Sequence, residues 1–275
     1  MNGSSEMEIT GEKGFVFETV QSIPFRTMTE SLKEVLVDAT FKFTPNGVEL
    51  VSMDNTKCII VQLLLFGKSI ERYICDGEYK IGLNLNTFFK VIKTITTADS
   101  IMFTYYEKQP YSLHISINSI EKRSKNKYTM QLLDIDEKEE LIFQIDSFDT
   151  VLQMQSYYFQ KTCKDLLNTG GTHVEISTTK DCISFKSNDT LLQSELSLYE
   201  TTEGLRFKKQ NKENEGHVSY GTFTLKHLIT FTKCTTLCPV VTLYLMHGYP
   251  LVLQYAVANL GLIRYCVASL DTEIV

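Results

Sequence analysis

The 275-residue chain lacks the loops and clusters that carry most enzyme chemistry. Neither GxGxxG nor GxxxxGK[ST] occurs, so no glycine-rich cradle for a nucleotide phosphate is written into it. HExxH and GxSxG are missing, and no pair of carboxylates stands out as suited to general acid–base work. The five histidines, His114, His173, His217, His227 and His247, stand alone in the sequence. These absences argue against a catalytic role and name no cofactor.

Long apolar runs are missing too. The longest, Cys58 to Phe66, is broken by Gln62 and falls well short of the roughly 18 residues of a membrane helix, so no membrane partner is expected. Residues 1–13 hold no apolar stretch of the signal-peptide kind, and 1–14 read as a disordered extension. CxxC is absent. Seven cysteines, an odd number set mostly inside apolar patterns, fit buried thiols in a reducing compartment. Cys234 and Cys238 with His227 and His247 match no common zinc spacing and read as core thiols and surface histidines, so no metal is expected. A surplus of positive charge is also lacking: 27 Lys and Arg against 33 Asp and Glu leave a net charge of −6. That excludes a protein coating nucleic acid with its whole surface, and leaves room for one basic face on an acidic body.

What the chain does contain is a repetition. A helix-like run around Leu32-Lys33 and the strand run Gly47 to Asp54 return as Cys163-Lys164 and Cys182 to Asp189, at offsets of 131 and 135. Thr87 to Ile92 answers Phe223 to Leu228, with Lys90 on Lys226. Pro110-Tyr111-Ser112-Leu113 answers Pro250-Leu251-Val252-Leu253 at 140. A duplication this long predicts two like domains in a quasi-symmetric object. We place them at 15–133 and 143–270, joined by an acidic connector over 134–142. Strand-like runs between Gly, Pro, Asn and Asp punctuation fill most of both halves, Ile142–Phe148 among them. Arg206 to Glu215 reads as a polar, mobile hairpin tip.

Four segments carry the 3.6-residue period of helices: Phe25–Leu36, Asn86–Thr97, Ser156–Asn168 and Thr224–Lys233. Gly170-Gly171 supplies a stop for the third. Each bears two cations spaced three or seven apart, hence on one face: Arg26 and Lys33, Lys90 and Lys93, Lys161 and Lys164, Lys226 and Lys233. One lysine-faced helix is ordinary solvation. Four of four on an acidic chain point to a shared positive surface that grips phosphates without reading bases.

Gly47-Val48-Glu49-Leu50-Val51-Ser52-Met53-Asp54, followed by Ile60-Val61-Gln62-Leu63, resembles the signature of the proliferating cell nuclear antigen family, the eukaryotic DNA sliding clamps. Lys90-Val91-Ile92-Lys93 resembles that family's second DNA-facing helix, and Tyr128 to Asp136 its strand entering the connector. Phe231-Thr232-Lys233, with Pro250 to Leu253 and Tyr255, resembles its last helix and penultimate strands, so the likeness runs from about Phe15 to Ala268.

The resemblance implies an α+β DNA-clamp fold: two similar domains, each with two helices packed on β-sheets, three copies of the chain closing head to tail into a six-domain ring. It implies a processivity factor that encircles double-stranded DNA and tethers DNA polymerase and other replication and repair enzymes. An ATP-dependent clamp loader would open the ring, in the nucleus or, for a virus-encoded protein, at a cytoplasmic replication site. Subunits would meet through Lys127, Tyr128 and Met130 on one side and Leu192, Ser194, Leu196 and Leu198 on the other. Partner peptides would enter a pocket of Met53, Lys57, Cys58, Ile60, Leu141, Pro250, Cys266 and Ala268. Lys57 stands where the family often has histidine, Cys266 where an aromatic is usual, and Ser269 where proline is, which puts the usual anchor preference in doubt. The segment before Phe15 and the lack of an acidic tail are further departures. A checkpoint-clamp subunit, or a viral clamp working as a dimer or monomer, would share these residues.

Overall fold

Period-two alternation of apolar and polar residues dictates most of the architecture seen in the computed structural model, which describes residues 14–134, 148–189, 191–201, 204–210 and 218–271. The first half runs β1 (Gly14–Thr19), α1 (Ser22–Val35), β2 (Asp38–Thr44), β3 (Gly47–Met53), β4 (Ile59–Phe66), β5 (Arg72–Cys75), β6 (Tyr79–Asn84), α2 (Leu85–Ile92), β7 (Asp99–Tyr106), β8 (Ser112–Ser119) and β9 (Ser124–Gln131). The second runs β10 (Thr150–Gln155), α3 (Ser156–Asn168), β11 (His173–Thr178), β12 (Cys182–Asn188), β13 (Gln193–Tyr199), β14 (Arg206–Lys209), β15 (Val218–Thr224), α4 (Leu225–Phe231), a 3-10 turn (Thr232–Thr236), β16 (Val240–Leu245), β17 (Leu251–Val257) and β18 (Gly261–Val267). Both halves follow one order of strands and helices, as the duplicated sequence predicts.

Local chemistry sets the element ends. Asn84 Oδ1 accepts from Thr87 N at 3.0 Å and so caps α2. Gly170, at φ +92°, ends α3: its N–H donates to Leu167 O, and that of Gly171 to Leu166 O. Two elements depart from the sequence reading. β10 alternates buried Thr150, Leu152 and Met154 with half-buried residues, but threonine and glutamine dilute the apolar signal. Arg206–Lys209, read as part of a mobile hairpin tip, is an edge strand paired with β10. Backbone pairing at an edge needs no apolar side chains, and Lys209 Nζ adds a bond to Phe148 O at 2.6 Å. Of the expected extension 1–14, Gly14 already belongs to β1 and pairs with Tyr106, whereas residues 1–13, most of the connector (135–142), the run 142–147 and residues 211–217 lie outside the described residues.

Among the described residues the strands form three sheets. One has the order β5-β1-β7-β8-β9, and one β13-β12-β11-β15. The third, β14-β10-β16-β17-β18-β4-β3-β2-β6, unites the halves, because β18 pairs antiparallel with β4 from Gly261↔Leu65 to Val267↔Ile59. Gly261 is required there: a Cβ on it would lie 1.9 Å from Leu64 O. One continuous apolar core runs through both halves. The helices form a contiguous row, with α1 between α2 and the α4–3-10 segment, and α3 against α4 and that turn. Tyr265 of β18 stacks on Phe231 at 4.6 Å, and its hydroxyl meets Ser31 Oγ of α1 and Cys234 Sγ in a buried polar knot joining the halves. Among the described residues no helix is long and apolar enough to cross a membrane.

A candidate nucleic-acid interface

The helix row gathers all eight cations singled out above, on α1, α2, α3, α4 and the residues just after them. Lys90, Lys93, Lys161, Lys164, Lys226 and Lys233 are exposed, whereas Arg26 and Lys33 are half-buried on the flank of α1 that meets α2. Two sit beyond the helices proper: Lys93 caps α2, and Lys233 lies in the 3-10 turn. Arg26 Nη1 donates to Ile95 O at 3.0 Å, tying α1 to the turn that ends α2. Lys33 Nζ stands 4.9 Å from the centre of the Phe89 ring and 2.6 Å from Glu34 Oε1. The same oxygen lies 2.9 Å from Lys233 Nζ, so Glu34 bridges the two halves. Hydrogen bonds from Lys33 and then Lys233 outweigh burial and hold the Glu34 carboxyl below its ordinary range. Glu30, Glu34 and Asp165 are the acids along this row, against eight cations. The surface is therefore suited to a polyanion held by charge, with no grouping that reads bases.

A second feature lies on the other face of the nine-stranded sheet. Lateral register aligns Met53 with Ile60, Ile60 with Cys266, Cys266 with Val252, Val252 with Tyr244, and Tyr244 with Val151. From Ile60 to Val151 this row forms an apolar cluster apart from the main core, together with Phe148, whose ring meets Tyr244 at 5.8 Å. Burial pushes the Cys266 thiol up to about 12. At the end of the row, Asp54 Oδ1 accepts from Cys58 N at 2.9 Å and Ile59 N at 2.8 Å, while Oδ2 accepts from Thr56 N at 3.1 Å. The turn so fixed sets exposed Lys57 at φ +60°. Ala268 N donates to Cys58 O at 3.0 Å, which brings Ala268 beside it. Pro250, half-buried, directly precedes β17. Leu141 lies outside the described residues. Phe148, Tyr244, Val151 and Val252 were missed in the sequence because their adjacency comes from strand register; the outward parity of β17 and β18 was the available signal.

The third group lies on two edges. β9 carries exposed Lys127, half-buried Tyr128 and buried Met130; at β13, Leu192 and Leu196 are exposed, Ser194 and Leu198 half-buried. Ser194 Oγ donates to Thr169 Oγ1 at 3.2 Å. Among the described residues neither strand has a second neighbour, and the two belong to different sheets. Other edges are short or covered: β5 and β14 have four residues each, β6 is bridged by Leu133, and β15 takes Leu270 N on Thr222 O. Of the residues weighed above as a zinc grouping, two have hydrogen-bond partners of their own. Cys234 is engaged with Ser31, and His247 Nδ1 donates to Ser219 O at 3.0 Å.

Comparison with known proteins adds a family. The model described as "Proliferating cell nuclear antigen, N-terminal domain" matches residues 17–141, and that described as "Proliferating cell nuclear antigen, C-terminal domain" matches 142–270. A relative from Paramecium bursaria Chlorella virus 1, named "Probable DNA polymerase sliding clamp 1", is 31% identical over 256 residues, covering 93% of this chain and 97% of the relative.

Proposed function

We propose, since this chain belongs to the proliferating cell nuclear antigen family and is a DNA sliding clamp, that three copies close head to tail into a six-domain ring around duplex DNA. One observation carries the reading. Within the chain, β4 of the first half pairs with β18 of the second. Their counterparts in the repeat are β13 and β9, the two long edges without a second neighbour among the described residues. A head-to-tail contact that pairs β13 of one copy with β9 of the next repeats the internal seam, and hides two edges that would otherwise invite aggregation. Carried through the repeat, the seam's register sets Tyr128 opposite Leu196 and Met130 opposite Ser194.

In such a ring the helix rows line the hole. Arg26, Lys33, Lys90, Lys93, Lys161, Lys164, Lys226 and Lys233 meet the phosphates, and sliding follows from contacts that ignore sequence. The domains are 15–133 and 143–270, with 134–142 crossing between them. DNA polymerase and other replication enzymes dock short helical peptides on the Met53–Ile60–Cys266 row, with Lys57, Cys58, Pro250 and Ala268 at its rim and Leu141 supplied by the connector. Tethering raises the enzyme's effective concentration at its template, and the chain itself performs no chemistry in this reading. An ATP-dependent loader opens the ring, at the site of DNA replication: the nucleus, or a viral replication site.

Primer extension on long templates with the cognate polymerase tests the function: products lengthen when the clamp is present, and the gain shrinks as salt rises. Light scattering tests the ring. Three chains are expected for the native protein, and Leu196→Lys should give single chains and short products. A native protein that runs as one or two chains favours the viral non-trimeric alternative, and trimers formed only with foreign chains favour a checkpoint clamp.

A further inference from the structure

Lys33 and Lys233 come from different halves of the chain, on α1 and on the 3-10 turn after α4, yet both ammonium groups converge on one carboxylate oxygen of Glu34, at 2.6 and 2.9 Å. The cluster is accessible: the side chains of Lys33, Glu34 and Lys233 are 20%, 30% and 44% exposed. Lys33 is further steadied by the Phe89 ring. An ion pair this open contributes little to stability, so holding the fold together is a weak reason for a carboxylate on an otherwise cationic wall. Two ammonium groups around one anionic oxygen is also the arrangement by which a DNA phosphate is bound.

We propose that Glu34 occupies a phosphate subsite and competes with DNA for Lys33 and Lys233, which sets how tightly the clamp grips the duplex. The inference rests on the helix row being the DNA-facing wall. An arriving phosphate takes the two lysines only by displacing Glu34, whose charge then stands beside the polyanion and opposes the contact. Each grip at this subsite is thereby exchanged for an internal pair of similar kind, and the duplex leaves as readily as it arrives. A ring that must travel along DNA gains mobility from such a brake on its own affinity.

The test uses the full-length protein, a short linear duplex and fluorescence anisotropy across roughly 50 to 200 mM salt. Glu34→Gln should bind several-fold more tightly than the native protein at low salt. Its log–log salt dependence should steepen by about 0.9 for each lysine released to a phosphate. Glu34→Asp, which keeps the charge, should stay near the native affinity. The gain must disappear when Lys33→Gln and Lys233→Gln are added to Glu34→Gln; a merely structural role for Glu34 would not depend on them in this way. Glu34→Gln binding no more tightly than the native chain overturns the proposal. Lys90→Glu with Lys93→Glu separates the two levels. If that pair weakens binding while Glu34→Gln changes nothing, only the claim about Glu34 falls. If the pair leaves binding intact and Glu34→Gln changes nothing, the DNA path along the helices falls with it.

Discussion

Asp54 shows how one side chain holds a surface in place. Burial alone would raise its carboxyl, but hydrogen bonds from the Thr56 hydroxyl and the Ile59, Thr56 and Cys58 amides outweigh that and lower it. The folded value lies below the unfolded one. Its stabilisation is therefore full above the ordinary carboxylate range near pH 4, and it is lost as pH falls through the lower folded value. Asp54→Ala should cost about 1.5–3 kcal/mol, the scale of hydrogen bonds to a charged group, and should loosen the turn that carries Lys57 and Cys58. Urea midpoints at pH 7 and pH 3 check both parts. The gap between native and Asp54→Ala should be wide at the first pH and narrower at the second. Equal gaps would remove the carboxylate from the account.

At the level of elements, the seam between β4 and β18 depends on the bare backbone of Gly261. A methyl there meets Leu64 O at 1.9 Å, so Gly261→Ala must push the strands apart, at a cost on the order of 3 kcal/mol. Because the seam carries the coupling between halves, urea unfolding followed by circular dichroism should change from one transition to two. A single unshifted transition would show that the Ser31–Tyr265–Cys234 knot and the shared core couple the halves without the seam. The same elements show what a reader of the sequence sees. α3 was legible to the residue, since its apolar stripe is long and Gly170-Gly171 stops it. α2 is shorter than its periodicity predicts: Thr94 to Thr97 keep the apolar rhythm through Ile95, but the chain has already turned, which leaves Lys93 as a cap. β14 was illegible because edge pairing is a backbone matter. Phe148 was illegible as a site residue because its neighbours Tyr244, Val252 and Cys266 are brought together by register across three strands. The cations were legible by spacing, but their accessibility was not. Only the packed helices reveal that Arg26 also bonds Ile95 O and that Lys33 pairs with Glu34.

For the whole molecule, charge distribution matters more than net charge. An acidic chain presents a cationic row, so its hold on DNA should be governed by counterion release. Lys90→Glu with Lys93→Glu should weaken binding at low salt and flatten the log–log salt dependence by about 0.9 for each phosphate no longer gripped, with little change in folding because both side chains are exposed. Equilibrium binding at four salt concentrations checks the slope, and a thermal melt checks the fold. An unchanged slope would place the DNA elsewhere.

The β4–β18 pairing has a mechanical consequence. Its two strands belong to one polypeptide, backed by the Ser31–Tyr265–Cys234 knot and by Glu34 across the helices. In a closed trimer the pairing between subunits would join the counterpart strands β13 and β9, without a covalent leash. Such a hoop alternates three welds with three latches. In the proposed ring, torque would spring a latch first, so a breach that admits DNA would fall between protomers rather than through one.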